Sequence, residues 1–442
     1  MKSVSRQVLA VFVAATVLAG CDTPDWLGAP PAPPLPGERI SVMSLESTLR
    51  ADPALADLNV RLPRPYVNAE WPQSGGHATH AMHHLSVGDA PGLIWRAAIG
   101  SGSTDLERLT ASPIQGGGLV FAIDARSNVS AYDSGTGARL WRYNMTPATE
   151  ERGALGGGLA LDAGVLYVTT GYGDVFAVEP GTGSVIWTRS LGVPVRGAPT
   201  VDRGNLFVVT IDNSLHSIDV RDGSVMWEHV GIAESAGLLG SASPAVQGDL
   251  VVVAYSSGEL FALRRSNGRV AWAESLSGRG RLTALAQLGD ITGSPIIDRG
   301  RVYAVSHGGR MVAIDLRTGV RMWDQSIASV QTPWVAGDFV FVTSVDSQVI
   351  AMSRNDGRIR WVRQLARYTD EDRQELVNWS GPVLAGDRLI TVSSQGVALS
   401  ISPYTGEVNG QVELSDPAAV PPIVADQTLY FLTDEAELLA FR

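Results

Sequence analysis

An eleven-residue phrase recurs along the chain, and its spacing leaves few architectures open. Ala131-Tyr-Asp-Ser-Gly-Thr-Gly137-Ala-Arg-Leu-Trp141 returns as Ala177 to Trp187, Ser217 to Trp227, Ala262 to Trp272, Ala313 to Trp323 and Ala351 to Trp361. Ser400 to Gly410 is a seventh copy, with glycine where tryptophan is due. The intervals between copies are 46, 40, 45, 51, 38 and 49 residues. A period of about 40–50 residues with β-type sequence is the spacing of propeller blades.

Each unit reads as four strands. In the unit ending at Trp323, 293–298, 301–306, 310–315 and 320–325 are apolar or alternating runs separated by Arg299-Gly300, His307-Gly-Gly and Thr318-Gly319. Two-residue turns ending in glycine suit the twist of paired strands, because glycine takes positive φ at little cost. Thr136-Gly137, Thr182-Gly183, Asp222-Gly223, Asn267-Gly268, Asp356-Gly357 and Thr405-Gly406 repeat this chemistry, and a total of 48 glycines suits a chain with many tight turns. The C-terminal unit has three strands (422–424, 428–432 and 437–441) and stops before its tryptophan strand. Gly92-Leu-Ile-Trp95 has no strands before it, and Trp95 stands 46 residues ahead of Trp141, in phase with the repeat. The expectation is an all-β, eight-bladed β-propeller of four-stranded antiparallel blades over 66–442. Its last blade is closed by the N-terminal strand, which leaves only short, protected edges. The tryptophans are expected to fill wedges between blades.

The N-terminus reads as an export signal. Lys2 and Arg6 precede an apolar run from Val8 to Leu18, and Leu18-Ala19-Gly20-Cys21 is a lipobox. Residues 1–20 are the expected leader, and Cys21 would carry the lipid that holds the chain to a membrane. The alternative is an ordinary signal peptide with an incidental cysteine. Residues 21–65 form the lipidated cysteine, a proline-rich spacer at 29–36 and a lead-in. Cys21 is the single cysteine and Lys2 the single lysine. The mature chain would have no lysine, which excludes a Walker-type phosphate loop, a pyridoxal Schiff base and a Ser-Lys dyad. A formal charge of −11 argues against a nucleic-acid partner.

The Ala-x-Asp-x-x-Thr-Gly-x-x-x-Trp phrase resembles the repeat of quinoprotein dehydrogenases and related propellers. With the lipobox, eight units and N-terminal closure, the chain resembles the BamB family, the lipoprotein propellers of the outer-membrane β-barrel assembly machinery. That resemblance implies a non-catalytic scaffold on the periplasmic face of the outer membrane. It would bind the periplasmic domains of BamA and other assembly-machinery subunits, and assist the assembly and insertion of unfolded outer-membrane protein clients. Asp22 leaves the inner membrane open as the destination. The alternatives are a periplasmic adaptor with another partner and a quinoprotein enzyme. The latter would need pyrroloquinoline quinone and calcium held by acidic and amide side chains; many such enzymes also carry a disulfide of adjacent cysteines, which this chain cannot form. No cofactor or metal is expected.

The Thr-Gly turns must leave one face of the disc and the blade-to-blade crossovers the other. The crossovers vary in length: 12 residues from Trp187 to Pro199 and 10 from Trp323 to Pro333, against 17 before Pro244, 23 before Pro295 and 21 before Pro382. Long loops grouped on one face of a rigid scaffold are where function tends to sit. Two of them resemble the family's loops for BamA. Ala236-Gly-Leu238-Leu239-Gly240 stands where the family has Leu-x-Leu-Arg-Gly, so Leu238 matches the second leucine and Leu239 replaces the arginine. Asp290-Ile291-Thr292 stands where the family has Asp-Val-Asp. Leu238, Leu239, Asp290 and Thr292 are the resulting partner-binding candidates, and the plainer alternative is that the two leucines pack the loop onto its blade. Val195-Arg196-Gly197 looks like the same motif one blade too early. His77, His80, His83 and His84 are either a metal cluster or, as is commoner, an exposed lead-in loop. Asp370, Glu371, Asp372 and Glu375 read as a solvated acidic run.

Overall fold

Among the described residues eight antiparallel sheets of four strands are formed, seven of them continuous in sequence. The computed structural model describes residues 49–56, 58–149, 154–234, 238, 240–277, 289–370, 372 and 375–442. Cys21, Asp22, the 29–36 spacer, Leu239 and Glu371 lie outside the described residues. Two units are distinguished, Met1–Leu49 and Arg50–Arg442, and the second contains the propeller. Blades 1 to 7 span 114–144, 157–190, 200–230, 245–275, 296–325, 334–364 and 379–413. Blade 8 joins Ile423–Ala425, Thr428–Leu432 and Glu437–Phe441 to the N-terminal strand Leu93–Ala98, with Trp95 opposite Ala440. Closure by that strand is as the phase of Trp95 implies.

The register explains the repeat residue by residue. In blade 1 Phe121 lies opposite Ala131, and Ala131 opposite Trp141. The small alanine lets Trp141 lean across it onto Phe121, with ring centroids 6.2 Å apart. Tyr167–Trp187, Phe207–Trp227, Tyr303–Trp323 and Phe341–Trp361 repeat the pair at 5.9–6.1 Å. The turn acid is a local staple: Asp133 Oδ1 accepts from Thr136 N and Thr136 Oγ1, both at 2.8 Å. These bonds, the hydroxyl's first, hold its carboxyl below the usual range.

Each tryptophan also reaches the following blade. Its Nε1 donates to the backbone of the next Thr-Gly turn: Trp141 to Pro180 O at 2.7 Å, Trp272 to Leu316 O at 2.7 Å, Trp323 to Arg354 O at 2.9 Å. The turn glycine lies flat on the same ring. A Cβ on Gly183 would stand 2.8 Å from Trp141, and one on Gly357 2.8 Å from Trp323. These glycines therefore answer two demands at once, positive φ and contact with the preceding blade. The missing eighth tryptophan now has a reason. Gly410 of blade 7 faces blade 8, where the third-to-fourth-strand turn is replaced by the pairing of Arg442 with Gly92. No turn glycine exists there for an indole to cover.

The inner strands would present unpaired edges to the central channel, and residues 68–85 satisfy them. Asp426 N donates to Asn68 O (blade 8), and Trp71 exchanges two backbone bonds of 2.8 Å with Gln115 (blade 1). Leu161 N donates to Pro72 O (blade 2), and Val201 N to Gln73 Oε1 at 2.9 Å (blade 3). Val246 N donates to Ala78 O and Ile297 N to Thr79 O (blades 4 and 5). Trp334 Nε1 donates to His83 O at 2.6 Å (blade 6), and Leu85 N to Leu384 O (blade 7). The segment makes one full circuit inside the ring, touching the blades in their spatial order.

This corrects the exposed-loop reading for two of the four histidines. His80 and His84 are 3% and 1% exposed, their Nδ1 atoms 2.7 Å from Pro295 O and 2.8 Å from Pro63 O. Since a carbonyl only accepts, each Nδ1 carries the proton. Burial pushes His80 down to about 4 against an ordinary 6.5, the bond to Pro295 O opposing it. A depressed histidine contributes stability that is complete above the unfolded value and lost as pH falls from about 6.5 toward 4. Going from pH 7 to pH 5 should cost about 2 kcal/mol through His80. Urea unfolding at the two pH values should show a smaller loss in His80→Gln than in wild type; equal losses would contradict the assignment.

Candidate functional site

The first strand of each blade runs away from the crossovers, so crossovers and second-to-third-strand turns share one face. Three successive crossovers meet there. Leu238, from the loop between blades 3 and 4, is half-buried. Its N–H donates to Asp290 Oδ2 at 2.7 Å, from the loop between blades 4 and 5. Arg196, from the loop between blades 2 and 3, donates from Nη1 to Leu238 O at 3.5 Å. Thr292 Oγ1 donates to Val330 O at 3.1 Å and so ties in the loop between blades 5 and 6. A cavity of about 270 Å³ opens beside these residues, with Ile211, Glu234 and Ser256 also on its wall.

Asp290 is 1% exposed. Burial raises its carboxyl above the ordinary carboxylate range, and the Leu238 N–H opposes that rise. Its carboxylate thus faces its neighbours and holds the Leu238 loop. Of the sequence candidates, Leu238, Asp290 and Thr292 come together, and Leu239 lies outside the described residues. Arg196 joins them although it comes from one blade earlier, because adjacent blades bring successive crossovers side by side. Sequence spacing also missed an apolar surface: Ile211 and Ile232, 39% and 59% exposed, are linked through Asn213, whose Nδ2 donates to Ile232 O at 2.6 Å. Large apolar side chains exposed at loop tips were the available signal.

The channel forms a second cavity of about 380 Å³ at the crossover end, with Trp71, Ser74, Gly75 and His80 of the inner circuit on its wall. The rest of the wall is mostly glycine, alanine, proline and aliphatic side chains with several serines and threonines, and its charges are Arg108, Arg196 and a single carboxylate, Asp434. Two guanidiniums and one carboxylate do not fit a calcium-bound quinone, which calls for several oxygen ligands of negative charge. Among the described residues no three His, Cys, Asp or Glu side chains are grouped to hold a metal.

A family model described as outer membrane protein assembly factor BamB matches residues 125–363. The chain is 24% identical over 347 residues to the protein of that name from Yersinia pestis, covering 77% of this chain and 86% of the relative. It is 26% identical over 353 residues to the one from Burkholderia pseudomallei, covering 79% and 87%. Among solved structures, BamB from Moraxella catarrhalis superposes with a TM-score of 0.66 at 20% identity, over 80% of this chain and all of that one. A quinohemoprotein alcohol dehydrogenase from Comamonas testosteroni gives 0.64 at 12% identity, over 84% and 80%. At such identities the structural likeness speaks for the propeller alone.

Proposed function

The chain belongs to the family described as outer membrane protein assembly factor BamB, and from that premise we propose a lipid-anchored, non-catalytic scaffold whose crossover face docks the periplasmic domains of BamA. The family's role is the assembly of outer membrane proteins, and the expected partners are components of that machinery. Cys21 would carry the anchor, placing the propeller of residues 66–442 on the periplasmic side behind the leader of residues 1–20 and the linker of residues 21–65. Unfolded outer-membrane proteins are the proposed clients.

The observation that carries this reading is the convergence of Leu238, Asp290 and Thr292 from two adjacent crossovers beside an exposed apolar surface. Interface energy concentrates in a few residues of this kind, ringed by near-neutral contacts. The channel also supports this reading, since two guanidiniums and one carboxylate suit no calcium-bound quinone. Leu238→Ala combined with Asp290→Ala is expected to weaken binding of BamA periplasmic domains at least tenfold, about 1.4 kcal/mol. The melting temperature should barely move, because both residues stand off the blade cores. Calorimetry or a label-free optical method is appropriate, since a mature chain without lysine offers no side-chain amine for coupling. Unchanged affinity would remove the crossover face from the interface; a melting temperature lowered by many degrees would favour loop packing as the role of Leu238.

A further inference from the structure

We propose that Leu238 is presented to its partner by a clamp formed from the crossovers on either side, with Asp290 and Arg196 as positioning residues. The proposal rests on the reading of this face as the docking surface and says how that surface is kept in shape. Both polar backbone atoms of Leu238 are engaged from outside its own loop. Its N–H is held by Asp290, 52 residues later in the chain, and its carbonyl by Arg196, 42 residues earlier. The two holders stand on firm ground. Asp290 O accepts from His307 N at 2.9 Å. Val195, next to Arg196, is fully buried and bridges to Thr210.

Loop residues ordinarily lose backbone freedom when they bind, and that loss subtracts from affinity. A residue whose N–H and C=O are already fixed has little left to lose. Asp290 is too buried to make the partner contact itself. Its carboxylate has been taken out of water and accepts the Leu238 N–H, and a buried charge of this kind is a weak stabiliser by itself. Arg196 has no carboxylate within ion-pair distance among the described residues. It is half-buried between the two cavities, and among the described residues its side chain hydrogen-bonds to Leu238 O. Two charged side chains from separate crossovers converge on one leucine's backbone, and the placing of that leucine accounts for them.

The test separates positioning from direct contact. Asp290→Ala and Arg196→Ala should each weaken binding of the BamA periplasmic domains, by about tenfold and about threefold. Asp290→Asn, whose amide oxygen can still accept from Leu238 N–H, should recover most of the affinity that alanine loses. In a Leu238→Ala background both alanine changes should have little further effect. A second readout needs no partner. A spin label on Leu238→Cys, in the full chain carrying Cys21→Ser, should be ordered, and should gain mobility with Asp290→Ala or Arg196→Ala. If wild type binds but Asp290→Asn loses as much as Asp290→Ala, or the effects persist without Leu238, the clamp is wrong and the docking surface stands. If wild type does not bind BamA domains, the docking reading fails, and label mobility alone decides the clamp. A label equally mobile in all three proteins overturns it.

Discussion

A chain lacking residues 66–99 should show no cooperative unfolding transition and should be recovered mainly as aggregate. The deletion removes two closures together. Without Leu93–Ala98, blade 8 keeps three strands, and the outer edge of Glu437–Phe441 is laid bare along its length. Without 68–85, the inner strand of every blade loses a hydrogen-bond partner in the channel. At about 1 kcal/mol for each such bond, the circuit alone is comparable to the net stability of about 5–15 kcal/mol typical of a folded domain. The deletion also takes away Trp71, Met82 and Leu85, all buried and part of one core cluster with residues of blades 1, 6, 7 and 8. A chain lacking only residues 66–91 separates the two effects, because it keeps the closing strand while losing the circuit and its immediate flank. It should remain soluble with eight complete blades and melt well below the full chain. Circular dichroism on heating reads both outcomes. A 66–99 deletion that melts like the full chain would mean that neither closure matters.

What could be read from the sequence, and what could not, divides along the range of the interactions. Turn chemistry and strand alternation are local, so Thr-Gly pairs and period-two patterns mark the blades, and the phase of Trp95 closes the ring. The inner circuit has no such mark. Asn68 bonds blade 8 across 356 residues and Gln73 bonds Val201 across 128, each through single contacts that leave no periodicity. The lead-in therefore reads as a loop, and the burial of His80 and His84 is invisible until the channel exists. Asp290 is similar. Its place in a polar Asp-Ile-Thr loop suggests an exposed acid, yet the neighbouring crossover covers it. Arg196 stands at the right spot for a reason that only the side-by-side order of crossovers supplies. The repeat phrase was legible as a pattern, while its pairing of one blade's tryptophan with the next blade's glycine needed the assembled ring.

That pairing leads to the second large effect. Trp323→Ala should cost about 3–5 kcal/mol, the range for removing a buried tryptophan. The indole is 7% exposed, packs at a tilt against Tyr303 with ring centroids 6.0 Å apart and donates to Arg354 O at 2.9 Å. Gly357→Ala should also be costly. Its φ of +72° is unfavourable for a residue with a side chain, and the new Cβ would stand 2.8 Å from the Trp323 ring. Part of that cost is collision with the indole, so it should shrink once the indole is gone, while the backbone strain of about 1–2 kcal/mol remains. A double-mutant cycle in urea should thus give a coupling of about 1 kcal/mol or more between residues on different blades. Additivity within about 0.5 kcal/mol would show that glycine is required there for its backbone alone. Blade 7 supplies the converse. Gly410→Trp restores the repeat on paper, but the strand 408–413 is exposed throughout, and no turn glycine of blade 8 waits to receive an indole. The substitution should leave stability within about 0.5 kcal/mol of wild type, as expected for an exposed site. A stabilisation approaching that lost in Trp323→Ala would instead show that the indole needs only its own blade, and that the repeat's glycine and tryptophan are not partners.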